Sequence, residues 1–210
     1  MAGDIYYGDD FPNNVANGFV EMYGYGGDDT LQSGGQVSGF VKIYGGTGND
    51  NLYYYGPGTA KLKGDDGNDL LSGSGSNDKL IGGKGSDWLF GNFGNDILKG
   101  GKGPDHFGFN TMPDSKNNLD DIRDFEVKKD LLHFNLFYYD LDGMGVPGKL
   151  NKSYFVIGKK PKDGNDFFGY DKKKGYIWYD SNANDPGGFN KVTEIDSGLN
   201  IKFKHIILEY

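Results

Sequence analysis

Cysteine is absent from the 210-residue chain, and histidine occurs only three times. Without cysteine no disulfide can hold an extracellular fold together, so stability must come from another source, such as metal. His106, His133 and His205 form no HExxH helix and have no spacing for a metal triad. No Gly-x-Ser-x-Gly elbow and no phosphate-cradling loop occurs, so no enzyme activity is expected. No apolar run reaches the length of a membrane span. Basic residues are outnumbered, 22 Lys and Arg against 30 Asp and Glu, for a formal charge of −8. With no basic stripe to meet phosphates, nucleic acid is not an expected partner. Met1 to Phe11 has neither the basic region nor the apolar core of a secretory leader. Gly3-Asp4-Ile5-Tyr6 already has the glycine-aspartate texture of a repeat, so the sequence is expected to be the C-terminal part of a longer protein.

What is abundant is glycine, 37 residues, concentrated before residue 110 and in phase. The phrase Gly-Gly-x-Gly-x-Asp-x-Leu-x starts at Gly45, Gly64, Gly82, Gly91 and Gly100, with looser copies at Gly24 and Gly73. Its sixth residue is always aspartate: Asp29, Asp50, Asp69, Asp78, Asp87, Asp96 and Asp105. Its eighth is always apolar: Leu31, Leu52, Leu71, Leu80, Leu89, Leu98 and Phe107. A fixed short period decides the architecture before any other feature, and this one reads as a calcium-binding solenoid.

The first six residues of each copy form a turn and the last three a short strand. Glycines at positions one, two and four allow backbone angles that side chains forbid. They also let carbonyl oxygens crowd toward one point. Calcium takes six to eight oxygens, which two stacked turns can supply together. In x-Leu-x the middle side chain points inward. Two copies make one coil, so the predicted fold is all-β, a right-handed parallel β-roll with a β-rich C-terminal cap. The boundary is placed at residue 110, giving a roll over 1–110 and a cap over 111–210.

Spacing assigns the pairs. Asp69, Asp87 and Asp105 step by eighteen residues along one edge, as do Asp78 and Asp96 along the other. Asp50 lies nineteen before Asp69, and Asp29 twenty-one before Asp50, which continues the first edge with small insertions. The predicted sites are Asp29/Asp50, Asp50/Asp69, Asp69/Asp87 and Asp87/Asp105, with Asp78/Asp96 opposite. A further one at Asp114, eighteen beyond Asp96, makes about six ions. Ser76 in place of a glycine weakens the Asp78 turn slightly. Ser33–Tyr44 and Tyr54–Lys63 read as return strands without metal, carrying Val37, Phe40, Val41, Ile43, Ala60 and Leu62. Without cations the acidic roll is expected to be largely unfolded, so that binding and folding are coupled.

The order of motifs resembles the C-terminal region of RTX proteins exported by type I secretion, over nearly the whole chain. Asp105-His106-Phe107-Gly108-Phe109 is similar to that family's Asp-x-Phe-x-Phe. Asp114-Ser115, Asp121-Ile122-Arg123-Asp124-Phe125 and Asp130 resemble the segment that closes the roll in serralysin-type proteases and mannuronan C5-epimerase modules. The resemblance implies that Asp114 and Asp121 hold a calcium at the end of the roll. It also implies that each upstream turn gives carbonyl oxygens from positions two and four, and the next coil from positions one and three. For Asp69/Asp87 these are Asp65, Gly67, Gly82 and Lys84. The same rule gives Gly27, Gly45 and Thr47 around Asp29/Asp50, and Gly46, Gly48, Gly64 and Asp66 around Asp50/Asp69. It gives Gly83, Gly85, Gly100 and Lys102 around Asp87/Asp105. Opposite, it gives Ser74, Ser76, Gly91 and Phe93 around Asp78/Asp96, with Asn92 and Gly94 for the site at the end.

The family implies secretion without an N-terminal signal, with the type I secretion machinery as partner and Ile206–Tyr210 as the uncleaved export signal. Extracellular polysaccharide is the alternative partner, since exposed tyrosines stack on sugar rings. The clusters Tyr6-Tyr7, Tyr53-Tyr54-Tyr55 and Phe137-Tyr138-Tyr139 are read first as packing under the cap. Asp180 to Asp185 matches the start of an EF-hand loop, but Lys191 stands where that loop needs glutamate, and a surface turn accounts for it equally well. Beyond Asn110, Ile122–Leu136 reads as strand with room for one short helix, and Ser153–Ile157, Gly175–Tyr179 and Ile201–Leu208 as strands.

Overall fold

The computed structural model describes residues 4–7, 14–16, 19–35, 39–139, 147–182 and 188–210. Its strands in chain order are β1 (Asp4–Tyr7), β2 (Asn14–Ala16), β3 (Phe19–Gly26), β4 (Thr30–Ser33), β5 (Phe40–Thr47), β6 (Asn51–Tyr54), β7 (Thr59–Asp66), β8 (Leu70–Ser72), β9 (Lys79–Lys84) and β10 (Trp88–Phe90). They continue with β11 (Ile97–Lys102), β12 (His106–Phe109), β13 (Asp120–Ile122), β14 (Leu131–Asn135), β15 (Gly148–Lys149), β16 (Phe155–Ile157), β17 (Phe168–Asp171), β18 (Tyr176–Asp180), β19 (Phe189–Ile195) and β20 (Ile206–Glu209). No α-helix occurs among the described residues.

Up to β14 the chain alternates between two sheets. One runs β1-β3-β5-β7-β9-β11-β13 and continues through β19-β18-β17-β16. The other runs β2-β4-β6-β8-β10-β12-β14 and continues through β20 to β15. Pairing within the roll is parallel, as in β5–β7 and β10–β12. Antiparallel pairs occur at β17–β18, β18–β19 and β15–β20. Both sheets therefore cross the predicted boundary at residue 110 without a break.

The repeat explains the core. Each short strand offers one inward side chain between two outward ones, and registration stacks these into two rows. Leu31, Leu52, Leu71, Leu89, Phe107, Leu132 and Ile206 align in one sheet. Met22, Ile43, Leu62, Leu80, Leu98, Ile122 and Ile195 align in the other. All are buried. At roughly 25 cal/mol per Å² of apolar surface, one such side chain per strand is a thin core, and no coil can bury its leucines without neighbours.

The predicted return strands are β5 and β7, with Val41, Ile43, Ala60 and Leu62 inward and Phe40 turned out; Val37 lies outside the described residues. The cap strands predicted around 153–157, 175–179 and 201–208 appear as β16, β18 and the shorter β20. β17 and β19 were not expected, and Glu126–Asp130 is a hydrogen-bonded turn where a helix had room. Tyr54 and Tyr139 pack inside, while Tyr55 and Phe137 face solvent. Tyr139, Phe168, Tyr179 and Phe134 form an aromatic cluster over the last coils.

Candidate metal centre

The two edges of the roll are rows of turns. Those leading from the first sheet to the second carry Asp29, Asp50, Asp69, Asp87 and Asp105, each at most 1% exposed. Neighbours along this row are tied together. The N–H of Asp29 donates to Asp50 Oδ1 at 2.8 Å, Asp50 to Asp69 at 2.8 Å, Asp69 to Asp87 at 2.9 Å and Asp87 to Asp105 at 3.1 Å. The opposite edge repeats this from Ala60 to Asp78 at 2.6 Å and from Asp78 to Asp96 at 2.7 Å. The pairs assigned from spacing are thus neighbours in space.

The second carboxylate oxygen has a different environment. Oδ2 of Asp50, Asp69, Asp87 and Asp96 is buried with no hydrogen-bond partner. It lies under the first glycine of its own repeat. A Cβ on Gly45, Gly64, Gly82, Gly91 or Gly100 would stand 2.0 to 2.3 Å from the Oδ2 of Asp50, Asp69, Asp87, Asp96 or Asp105 respectively. Position one is therefore glycine because the carboxylate occupies the space of a side chain, whereas positions two and four need left-handed backbone. At position four φ is +128° at Gly48, +151° at Gly67 and +129° at Gly85. At position two, Gly46 and Gly83 share that region with Tyr25, Asp65 and Asn92, at some cost in strain for the residues that carry a Cβ.

These angles aim carbonyls at the next coil. A Cβ on Gly83 would lie 2.0 Å from Asp65 O, on Gly48 2.1 Å from Gly27 O, and on Gly85 1.9 Å from Gly67 O. From the other side, Gly45 O and Gly100 O approach Gly24 and Gly82. Position-three oxygens already accept one bond: Asp66 O from Gly48 N, Lys84 O from Gly67 N and Lys102 O from Gly85 N. The Asp78 turn is built otherwise. Asp78 Oδ2 accepts from Ser74 N at 2.5 Å and Ser74 Oγ at 2.9 Å, and Ser76 Oγ donates to Pro57 O. Ser76 is absent from the left-handed residues, unlike Gly94 one coil on. Asn92 donates its amide to Gly73 O, and Phe93 points to solvent.

Buried carboxylates stacked on one another resist ionisation. Desolvation pushes Asp50 and Asp87 up to about 6, and Asp69 and Asp105 up to about 7. Asp96 and Asp120 are raised by burial, with mutual repulsion adding to it on Asp96. No three His, Asp or Glu side chains cluster as a metal set among the described residues, so an ion here would draw on carbonyls beside the carboxylates. Hard oxygens, orphaned anionic atoms and glycine-lined space fit calcium.

The end of the roll differs from its predicted form. Asp114 does not stack on Asp96. It caps its own turn, accepting from Lys116 N at 2.9 Å and from the Asn117 amide at 2.8 Å. Asp121 points outward and pairs with Arg123 at 2.8 Å. The acceptor for Asp96 N is Asp120 Oδ1, at 3.1 Å. Residues 110–119 form a longer connection than 91–96, so the eighteen-residue step fails there. On the first edge Asp130 Oδ1 accepts from Asp105 N at 3.0 Å, and Asp124 accepts from Gly100 N and Gly101 N. The missed signal was Asp-x-apolar without its glycines: Asp120-x-Ile122 and Asp130-x-Leu132. A ladder at position five was also missed, in which Asn68 N donates to Asn49 Oδ1, Ser86 N to Asn68 Oδ1 and Asn95 N to Asn77 Oδ1. In the EF-hand-like stretch, Asn182 N donates weakly to Asp180 Oδ1, and residues 183–187 lie outside the described residues.

The repeat phrase matches a known family model. The model of the RTX calcium-binding nonapeptide repeat matches in four copies, at residues 17–36, 38–56, 54–89 and 72–107. The solution structure of the AlgE6R3 subunit from the Azotobacter vinelandii mannuronan C5-epimerase is similar at 22% identity, covering 85% of this chain and 78% of that one, with a TM-score of 0.29. No curated protein matches the chain. Residues 17–36 and 38–107 thus carry RTX calcium-binding nonapeptide repeats.

Proposed function

We propose that this chain is a module that folds when calcium binds outside the cell, and that it serves the export and stability of a type I secreted protein. The observation that carries the reading is the row of buried carboxylates with orphaned Oδ2 atoms. Burying unpaired carboxylates costs several kcal/mol each, so the metal-free roll is poorly stable. Bound calcium would supply the positive charge and the oxygen-demanding centre that these turns lack. Extracellular calcium modules bind at about 10⁻⁴ to 10⁻³ M, so the chain stays threadable in the cytosol and folds once outside. Asp50, Asp69 and Asp87 each face two neighbours, which makes binding cooperative.

The test is far-ultraviolet circular dichroism from a chelated start. A cooperative gain of β signal near millimolar calcium supports the folding switch, and secretion of a fused cargo by a type I exporter supports the export role. A spectrum fully folded in chelator and unmoved by calcium removes the basis of both.

A second reading has its own observation. On the outer face of the first sheet Lys42, Lys61 and Lys79 align in register, with Lys63 and Lys99 in the next row. Tyr23 and Tyr44 stack at 5.0 Å beside them, and Lys61 lies over the Tyr44 ring. A basic, aromatic strip on an acidic protein suits an anionic polysaccharide. Calcium-dependent retention on a polyuronate column that is lost in Lys61→Glu/Lys79→Glu supports this reading, and passage through the column refutes it.

A further inference from the structure

The outer face of the second sheet carries a group that the calcium turns do not use. His106 on β12 and His133 on β14 stand on neighbouring strands, with Nδ1 of the first 2.8 Å from Nε2 of the second. His133 Nδ1 lies 3.1 Å from Glu209 Oε2 on β20, the next strand over. Trp88 covers both rings, its centroid 4.4 Å from that of His106 in parallel stacking and 4.5 Å from that of His133. Three consecutive strands thus hold carboxylate, imidazole and imidazole in a line. His133 is buried at its centre, and His106 is half-buried at its open end.

The carboxylate fixes the chemistry of the line. Glu209 can only accept from His133 Nδ1, so that nitrogen carries the proton and Nε2 presents a lone pair toward His106. A carboxylate that orients one imidazole nitrogen while the other faces a metal is the usual outer support of a histidine ligand. His106 now fills the place opposite by donating from Nδ1. In the other neutral tautomer, with its proton on Nε2, His106 turns a second lone pair to the same point.

We propose that His106 and His133 form a two-imidazole site for a borderline divalent transition metal such as zinc, nickel or copper, with Glu209 as positioning residue. Imidazole nitrogen selects these ions over calcium, which prefers oxygen. Bonds of about 2.0–2.1 Å at a tetrahedral angle need the two nitrogens roughly 3.3 Å apart, so the rings must part by about half an ångström. His106 has the freedom for that, being half-buried and bonded through one ring nitrogen. The proton leaves Nδ1 and is taken up at Nε2 through solvent, so a neutral pair binds the metal without net proton release. Water completes the coordination on the open side. Occupation would pin β12 to β14 and hold β14 through Glu209 to the last strand.

The experiment uses the full chain without an affinity tag, saturated with calcium so that the acidic turns are filled. Isothermal titration with zinc chloride is expected to show one saturable site, and titration with copper to quench Trp88 fluorescence with the same stoichiometry. His106→Asn and His133→Asn should each abolish both signals. Glu209→Gln should weaken affinity about tenfold or more. Circular dichroism in calcium confirms that each variant is folded. Should one fail to fold, the copper electron spin resonance spectrum of the unaltered chain decides: two equivalent nitrogen couplings support the site. Absence of saturable binding, binding that survives both histidine substitutions, or an all-oxygen copper spectrum overturns it.

Discussion

The two edges of the roll use the same phrase and solve its electrostatics differently. On the first edge Asp50, Asp69 and Asp87 each leave Oδ2 buried with no hydrogen-bond partner. On the second edge Asp78 has both oxygens satisfied, by Ala60, by Ser74 N and by the Ser74 hydroxyl. The coil before it closes with Gly56-Pro57-Gly58, where Tyr54 Oη accepts from Gly58 N at 3.1 Å. Among the described residues the orphaned oxygen returns on that side at Asp96. One serine in place of the second glycine thus changes a turn with an orphaned buried oxygen into one that the protein completes itself. Satisfaction of the buried carboxylate is a property of each turn and not of the repeat as a whole.

The contrast between turns is tested hardest at position one and its surroundings. Gly64→Ala places a Cβ 2.0 Å from Asp69 Oδ2, whereas a Cβ on Gly75 meets nothing within 4 Å. Gly64→Ala should raise the calcium midpoint of folding about tenfold or more, some 1.4 kcal/mol, and Gly75→Ala should leave it unmoved; matching midpoints would contradict the cradle. Asp87→Ala removes a carboxylate shared by two pairs, and Asp78→Ala one that faces only Asp96. Counting bound calcium by equilibrium dialysis should show the larger loss in Asp87→Ala, and equal losses would refute the stacking.

The pH response of the metal-free chain is the third test. Asp50, Asp69, Asp87 and Asp105 are raised to about 6 to 7 by burial, above the unfolded value of roughly 3.9. The folded state then holds more protons than the unfolded one. That stabilisation is fully present below about pH 4 and is lost as pH rises through 6 to 7. The far-ultraviolet β signal in chelator should rise between pH 8 and pH 5. In calcium the dependence should reverse, because ligands must be deprotonated. A β signal in chelator that falls on acidification would show that these carboxyls ionise freely. The smallest effects belong to the end of the roll. Asp120→Ala should lose calcium from the second edge, while Asp114→Ala and Asp121→Ala should match the unaltered chain in the same dialysis.

Much of this was legible because the period is physical. A strand of three residues admits one inward side chain, so the apolar eighth position gave the core rows from Leu31 to Phe107 and from Leu80 to Leu98. The eighteen-residue step gave the carboxylate pairs wherever turn length stayed constant. It failed where the glycines stop. Asp120 and Asp130 take the next rungs after connections of other lengths, held in register by Ile122 and Leu132 instead of by counting. The reason for glycine at position one was hidden because it depends on where a carboxylate folds back, which sequence does not display. Strand β17 was missed since Gly169 interrupts it, a glycine required because Trp178 packs against its face.

The direction of the aspartate ladder has a consequence for the timing of assembly. On the first edge the N–H of each stacked aspartate finds its acceptor on an aspartate that comes later in the chain, from Asp29 to Asp50 and onward to Asp130. A hydrogen bond to a charged acceptor contributes about 1.5–3 kcal/mol, so no coil is complete before its successor is in place. A ribosome makes each donor before its acceptor. During synthesis each coil therefore waits for the one that follows it, and the last rung of the first edge, Asp105 on Asp130, closes only when the segment after the repeats has been made.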